Sequence, residues 1–132
     1  MTNPAPANVV AVYLTPIGHE FTPERLAALH STRVAVTAVV TERDRHLTTE
    51  GWTPEHDDQH TDGSLAQAAA AYLAASVHGP AAGMECWPWD LEWFKPGNPL
   101  HVPEDRLRCL DKAGALLLAE RERLDRAGKA PQ

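Results

Sequence analysis

Residues 64–76 read Ser64-Leu65-Ala66-Gln67-Ala68-Ala69-Ala70-Ala71-Tyr72-Leu73-Ala74-Ala75-Ser76, and this stretch decides the fold class. Alanine has the strongest intrinsic helix preference, and the run holds neither glycine nor proline. Leu65, Ala69, Tyr72 and Leu73 fall on one face at helical spacing. Alanine side chains also let a neighbouring helix approach closely, so the segment predicts a helix packed against another helix.

Working outward, Glu104 to about Ala127 predicts the longest helix. Leu107, Leu110, Gly114, Leu117 and Leu124 recur at steps of three and four, with Arg121 interrupting the row, and Gly128 ends it. Upstream, Thr22-Pro23-Glu24 is a helix start, with a Thr cap, proline at the first helical position and an acid near the positive end of the dipole. Leu26 and Leu29 are its expected inward positions. Between Thr32 and Gly51 the valines favour a strand. Yet Val36, Val40, Arg43 and Leu47 share a helical face, and Glu42-Arg43-Asp44-Arg45 suits a solvated one. The expectation is a helix ended by Gly51. Val9-Val10-Ala11-Val12-Tyr13-Leu14 reads as a short strand-like segment closed by the turn Thr15-Pro16-Ile17-Gly18. From His78 to about Pro103, Gly79, Pro80, Gly83, Pro88, Pro96, Gly97 and Pro99 predict one long irregular loop holding Trp87, Trp89, Trp93 and Phe94. The chain therefore reads as mostly α: three main helices, a short N-terminal strand-like segment and a long Trp-rich loop. One helical domain is expected over 9–127, between flexible tails at 1–8 and 128–132.

The bulk properties narrow the function. With 132 residues, the chain is long enough for one domain with a buried core. Its composition is near the globular average, at 43% hydrophobic and 23% charged, which argues against wholesale disorder. The net charge of -6 argues against broad binding to nucleic acid or anionic membrane, since either needs a basic face. No apolar run approaches a membrane span, and the N-terminus lacks the positive region of a secretory signal. The two cysteines, Cys86 and Cys109, give no disulfide framework. A cytoplasmic protein with reduced thiols is expected. No Walker A, GxGxxG or GxSxG pattern is present, which removes whole classes of nucleotide and acyl-transfer enzymes.

The densest set of candidate ligands is Glu55-His56-Asp57-Asp58-Gln59-His60. On a helical turn His56 and His60 share a face, and with Asp57 or Asp58 they approach a two-histidine, one-carboxylate set for Zn²⁺, Mn²⁺, Fe²⁺ or Mg²⁺. Residues 42–62 hold seven acids against two arginines, so a cation is electrostatically welcome there. Such an ion activates water and neutralises phosphate charge, with Glu55 or Glu120 as general base. The competing reading makes the same residues a cap for the next helix, with Asp62 and Ser64 at its start. Trp89 and Trp93 are candidates to stack on a flat ligand, with Lys95 at hand for a phosphate. Against that, Trp52, Trp87, Trp89, Trp93 and Phe94 are five of only eight aromatic residues, and such clustering pins a long loop to a core. Glu122-x-x-Asp125 resembles half of the paired-acid Mg²⁺ site of MazG-type pyrophosphohydrolases. The other half is missing, because 64–76 carries no acid. Interleaved with Arg121, Arg123 and Arg126, these acids read as a surface salt-bridge lattice.

Two strings, GWTPEHDDxH at Gly51–His60 and KAGALxxAExERLDR at Lys112–Arg126, together with Trp87-Pro88-Trp89, Trp93 and Lys95-Pro96, carry a resemblance. The chain resembles a widespread family of small phage and prophage proteins over roughly two-thirds of its length. Arg121 stands where that family tends to have an aliphatic residue, and residues 1–35 fall outside the pattern. The resemblance implies a phage or mobile-element setting and no particular activity. Two functions remain in view. One is a metal-supported binder or hydrolase of a nucleotide-like ligand; the other is a non-enzymatic accessory protein that binds and inhibits a host defence protein.

Overall fold

The computed structural model describes residues 22–128, the Leu26 side chain excepted. The expected strand-like segment at 9–14 and the tails at 1–8 and 129–132 lie outside these residues. Among the described residues there are six α-helices, one 3₁₀ turn and no strand, so the chain is mostly α. No described helix is long and apolar enough to cross a membrane.

The described residues divide into two compact units, one up to Thr37 and the other from Ala38. In the first, helix α1 (Pro23–Ala28) starts as its sequence dictates, with Thr22 Oγ1 accepting the Arg25 amide at 3.2 Å. Helix α2 (His30–Thr48) begins in this unit, where Leu29 is half-buried. In the second unit the closing turns of α2 end at a reversal through Gly51, whose φ of +74° a residue with a side chain rarely adopts. A short helix α3 (Pro54–Asp57) follows, then α4 (Ser64–His78), α5 (Pro80–Cys86), a 3₁₀ turn at Leu91–Trp93 and the long α6 (Pro103–Gly128).

The expected loop from 78 to 103 needs correction, because it contains α5. Gly79 ends α4 and starts α5 at φ +99°, and Pro80 occupies a first-turn position where its missing N–H costs nothing. The remainder of the stretch is tied down rather than loose. The Lys95 amide donates to the Tyr72 hydroxyl at 3.2 Å, and the Lys112 ammonium donates to the Lys95 carbonyl at 2.7 Å. The Cys109 thiol donates to the Pro96 carbonyl at 3.3 Å. Trp87 and Phe94 are both buried against Tyr72, with ring centroids 4.9–5.6 Å apart. Pinning is what Trp87 and Phe94 do, as the aromatic clustering suggested.

A second correction concerns α6. The leucines that mark its apolar row lie outside: Leu107 is 62% exposed and Leu117 58%. The buried face is one step round the helix, at Cys109, Ala113, Leu116 and Ala119. It meets Ala68, Ala71, Ala75 and the other small residues buried on α4. Small side chains on both helices allow the closest backbone approach, and dispersion gains from that approach outweigh the larger area each leucine offers singly.

The tightest contact in this unit is at Gly83 of α5. A Cβ there would stand 2.6 Å from the Ala71 carbonyl oxygen and 2.5 Å from Phe94 Cζ. Replacing glycine by alanine inside a helix normally gains about 1 kcal/mol. Here the clash with backbone dominates. Gly83→Ala is expected to lose about 1–3 kcal/mol in urea unfolding, and a neutral or stabilising result would show that α5 can shift away from α4.

Candidate functional site

The site is built where α3 and the turn after it face the Trp-rich segment. Thr53 Oγ1 accepts the His56 amide at 3.2 Å and Pro54 opens α3, a start encoded by Thr-Pro. The turn then carries on: the His60 amide donates to the Asp57 carbonyl, and Asp62 Oδ1 accepts the Ser64 amide at 3.0 Å to start α4. This geometry brings His56 and His60 together, with ring centroids 5.0 Å apart. His56 lies parallel to Trp52 at 6.3 Å, and His60 rests against Trp89 at 4.9 Å.

These rings bound a cavity of about 360 Å³. Trp52, His56 and His60 form one side, Leu65 and Trp87 close it, and Trp89, Asp90 and Trp93 complete it. All four tryptophans of the chain line it. Trp93 is 54% exposed, so an indole stands open to solvent at the cavity. The Trp87 indole donates to the Asp90 carbonyl at 2.8 Å, which fixes the backbone of that wall. Burial first, and then the neighbouring His56, hold the His60 pKa below its ordinary value, so the ring stays neutral near pH 7. Its Nδ1 is 3.2 Å from the Ser64 hydroxyl.

The carboxylates of the same string point elsewhere. Asp57 is 1% exposed and accepts from Arg43 Nη2 at 3.1 Å; the same nitrogen reaches Glu122 Oε1 at 2.9 Å. Asp58 accepts from Arg126 at 2.7 Å. Asp57 Oδ1 stays 3.4 Å from His56 Nδ1. Glu55 is exposed, and Glu120 accepts from Arg123 at 2.7 Å. Among the described residues, no group of three or more His, Cys, Asp or Glu is placed to hold a metal ion. Two of the acids on α6 form ion pairs: Glu120 with Arg123 along the helix, and Glu122 across to Arg43.

A second, smaller chamber shares Trp52 and Trp93 with the first. It is lined by Arg45, His46, Glu50, Lys95 and Lys112 among others. His46 is 2% exposed, and its ring lies 4.6 Å from Trp52. Its Nε2 meets Glu42 Oε2 at 2.8 Å, while Nδ1 is buried without a hydrogen-bond partner. Glu42, also 2% exposed, gathers Arg45 at 2.8 Å and Arg108 at 2.7 Å as well. Burial pushes the Glu42 carboxyl up, but these bonds and charges outweigh it and hold the pKa below its ordinary value. Burial likewise pushes His46 down, so it is the neutral ring.

No family profile, curated protein or solved structure matches the chain. The reading of the site therefore rests on its geometry.

Sequence pattern identified the two histidines and the tryptophans, but not Glu42, Arg43 or His46. Charged residues at helical spacing look solvated. The only signal that could have betrayed these three was their position on the face of α2 that also carries Val39 and Leu47.

Two outcomes follow from the electrostatics. Arg43→Ala leaves Asp57 buried without its cation and should cost about 3–5 kcal/mol in denaturant unfolding, whereas a loss under 1 kcal/mol would mean that Asp57 finds water instead. The folded pKa values of His46 and His60 lie below the 6.5 of a free histidine, so the unfolded chain takes up protons first as pH falls. Their contribution is present above pH 6.5 and drains away as pH drops through the folded values. Glu42 adds the same sign below its ordinary value of 4.5. The melting temperature should thus be level above neutrality and fall from about pH 6.5 downward, less steeply in His46→Gln.

Proposed function

We propose that the chain binds a planar heteroaromatic ligand of nucleobase type in the Trp52–Trp89–Trp93 cavity. The observation that carries this reading is the convergence of all four tryptophans and two histidines on one cavity of about 360 Å³. That volume lies within the range of about 300–1,000 Å³ usual for small-ligand sites. Stacking on an indole contributes about 1–3 kcal/mol per base and needs no reorganisation when the indole is already open. The neutral His60 ring and the exposed Asp90 carboxylate provide an edge of hydrogen-bonding groups for the ring nitrogens and amino groups of such a ligand.

A second reading, an accessory protein that docks on a host protein, is favoured by one observation. Leu107, Leu110, Leu117 and Leu124 are 43–62% exposed along one side of α6. A small phage-type protein fits either reading.

Because every tryptophan lines the cavity, intrinsic fluorescence reports on it directly. Titration with adenosine, guanosine, cytidine and uridine, with and without EDTA and Mg²⁺, should give saturable quenching by at least one of them. Trp89→Ala should weaken that binding by about tenfold or more at unchanged helical circular dichroism, in line with the loss of one stacking partner. Absence of saturable quenching at millimolar nucleoside would overturn the ligand reading and favour the docking one.

A further inference from the structure

The smaller chamber behind Trp52 and Trp93 has no role in holding a flat ring, yet it is built for something. We infer that it is a phosphomonoester subsite, and that the ligand of the aromatic cavity is a nucleoside monophosphate. This rests on the ring-binding reading above and specifies its substrate class.

Four observations converge. First, Trp52 and Trp93 line both chambers, so a ligand whose ring lies against either indole has its substituent beside the second chamber. Second, the chamber holds more positive charge than its own acids offset. Arg45 is matched by Glu42 and Glu50, both at 2.8 Å. Lys112 donates only to the neutral Lys95 carbonyl, at 2.7 Å, and lies over the Tyr72 ring. Among the described residues neither Lys95 nor Lys112 is in an ion pair. Burial, then Arg108, pushes the Lys112 pKa down, as expected of a half-buried ammonium with too little negative charge around it. Third, His46 Nδ1 is buried and unpartnered in a ring that lines the chamber. With Nε2–H given to Glu42, Nδ1 is the accepting nitrogen and suits an O–H donor such as the P–OH of a singly protonated phosphoryl group. Fourth, the size is suitable. The chamber measures about 40 Å³. At about 10–15 Å³ for each water-sized group, it has room for three or four oxygen atoms, as many as one terminal phosphoryl group carries.

The test compares each of the four nucleosides with its 5′-monophosphate and 5′-triphosphate, and with inorganic phosphate, by tryptophan quenching and calorimetry in EDTA. A monophosphate is expected to bind at least tenfold tighter than its nucleoside. Lys112→Met and the exposed Lys95→Ala should each shrink the monophosphate advantage, and Lys95→Ala, which keeps the backbone atoms that tie the segment down, should leave nucleoside affinity unchanged. The Lys112 ε-carbon resonance should titrate at higher pH with monophosphate bound. If nucleosides bind but their monophosphates bind no tighter, the subsite is overturned and ring binding stands. An advantage that survives both lysine substitutions also overturns it, since the phosphate would then sit elsewhere. If neither nucleosides nor monophosphates bind, both readings fall.

Discussion

The guanidinium of Arg43 is the interaction on which the second unit depends. One nitrogen, Nη2, holds Asp57 of α3 at 3.1 Å and Glu122 of α6 at 2.9 Å, so three segments far apart in sequence meet at one buried cation. Its Nε and Nη1 are buried without hydrogen-bond partners. Ion pairs of this kind give little net stability over a well-packed apolar substitute, because desolvation of the charges consumes most of the attraction. What they supply is position. Asp57 can lie where it does only if α3 keeps its register against α2 and α6, and that register turns His56 and His60 away from Arg43 and toward the tryptophans. The aromatic cavity is thus a consequence of where its neighbouring carboxylate goes.

The opposite wall is set by packing rather than charge. Tyr72, Trp87 and Phe94 form one buried group, and Gly83 lets α5 close against Ala71 and Phe94. With Trp87 and Phe94 anchored, the residues between them are held at both ends, and Trp89 and Trp93 project from a fixed segment. A loop of this length would otherwise lose much conformational entropy on binding a ligand. Anchoring incurs that cost during folding, so a bound ring meets an arrangement already in place.

Much of the fold is legible in the sequence, because helix ends are local events. Thr22-Pro23, the glycine at 51 and the alanine run from 64 all act within a turn or so of themselves. What escapes is decided at long range. Helix α5 is hidden because Gly83 weakens its helix preference in exchange for room against Ala71. The face of α6 is misjudged from periodicity because leucines signal hydrophobicity more strongly than alanines do, yet close approach selects the alanines. The i, i+4 spacing of His56 and His60 correctly brings two imidazoles together. The acids between them read as ligands only because Arg43 and Arg126 lie 14 and 68 residues from Asp57 and Asp58. Local spacing cannot show that distance.

The electrostatics of the site follow the same logic. A chain with net charge -6 would repel a phosphate if its charge were evenly spread. It is not. Asp57, Asp58 and Glu120 are each matched by an arginine beside the aromatic cavity. Glu42 is matched by Arg45 and Arg108. Paired charges have short-ranged fields, so the potential inside each chamber is set by the groups left over. In the aromatic cavity these are the imidazoles of His56 and His60 and the open carboxylate of Asp90; in the smaller chamber they are two lysines. The acid-rich string that marks this region in the sequence is therefore largely offset in the structure by Arg43 and Arg126, while Lys95 and Lys112 line the smaller chamber outside those pairs.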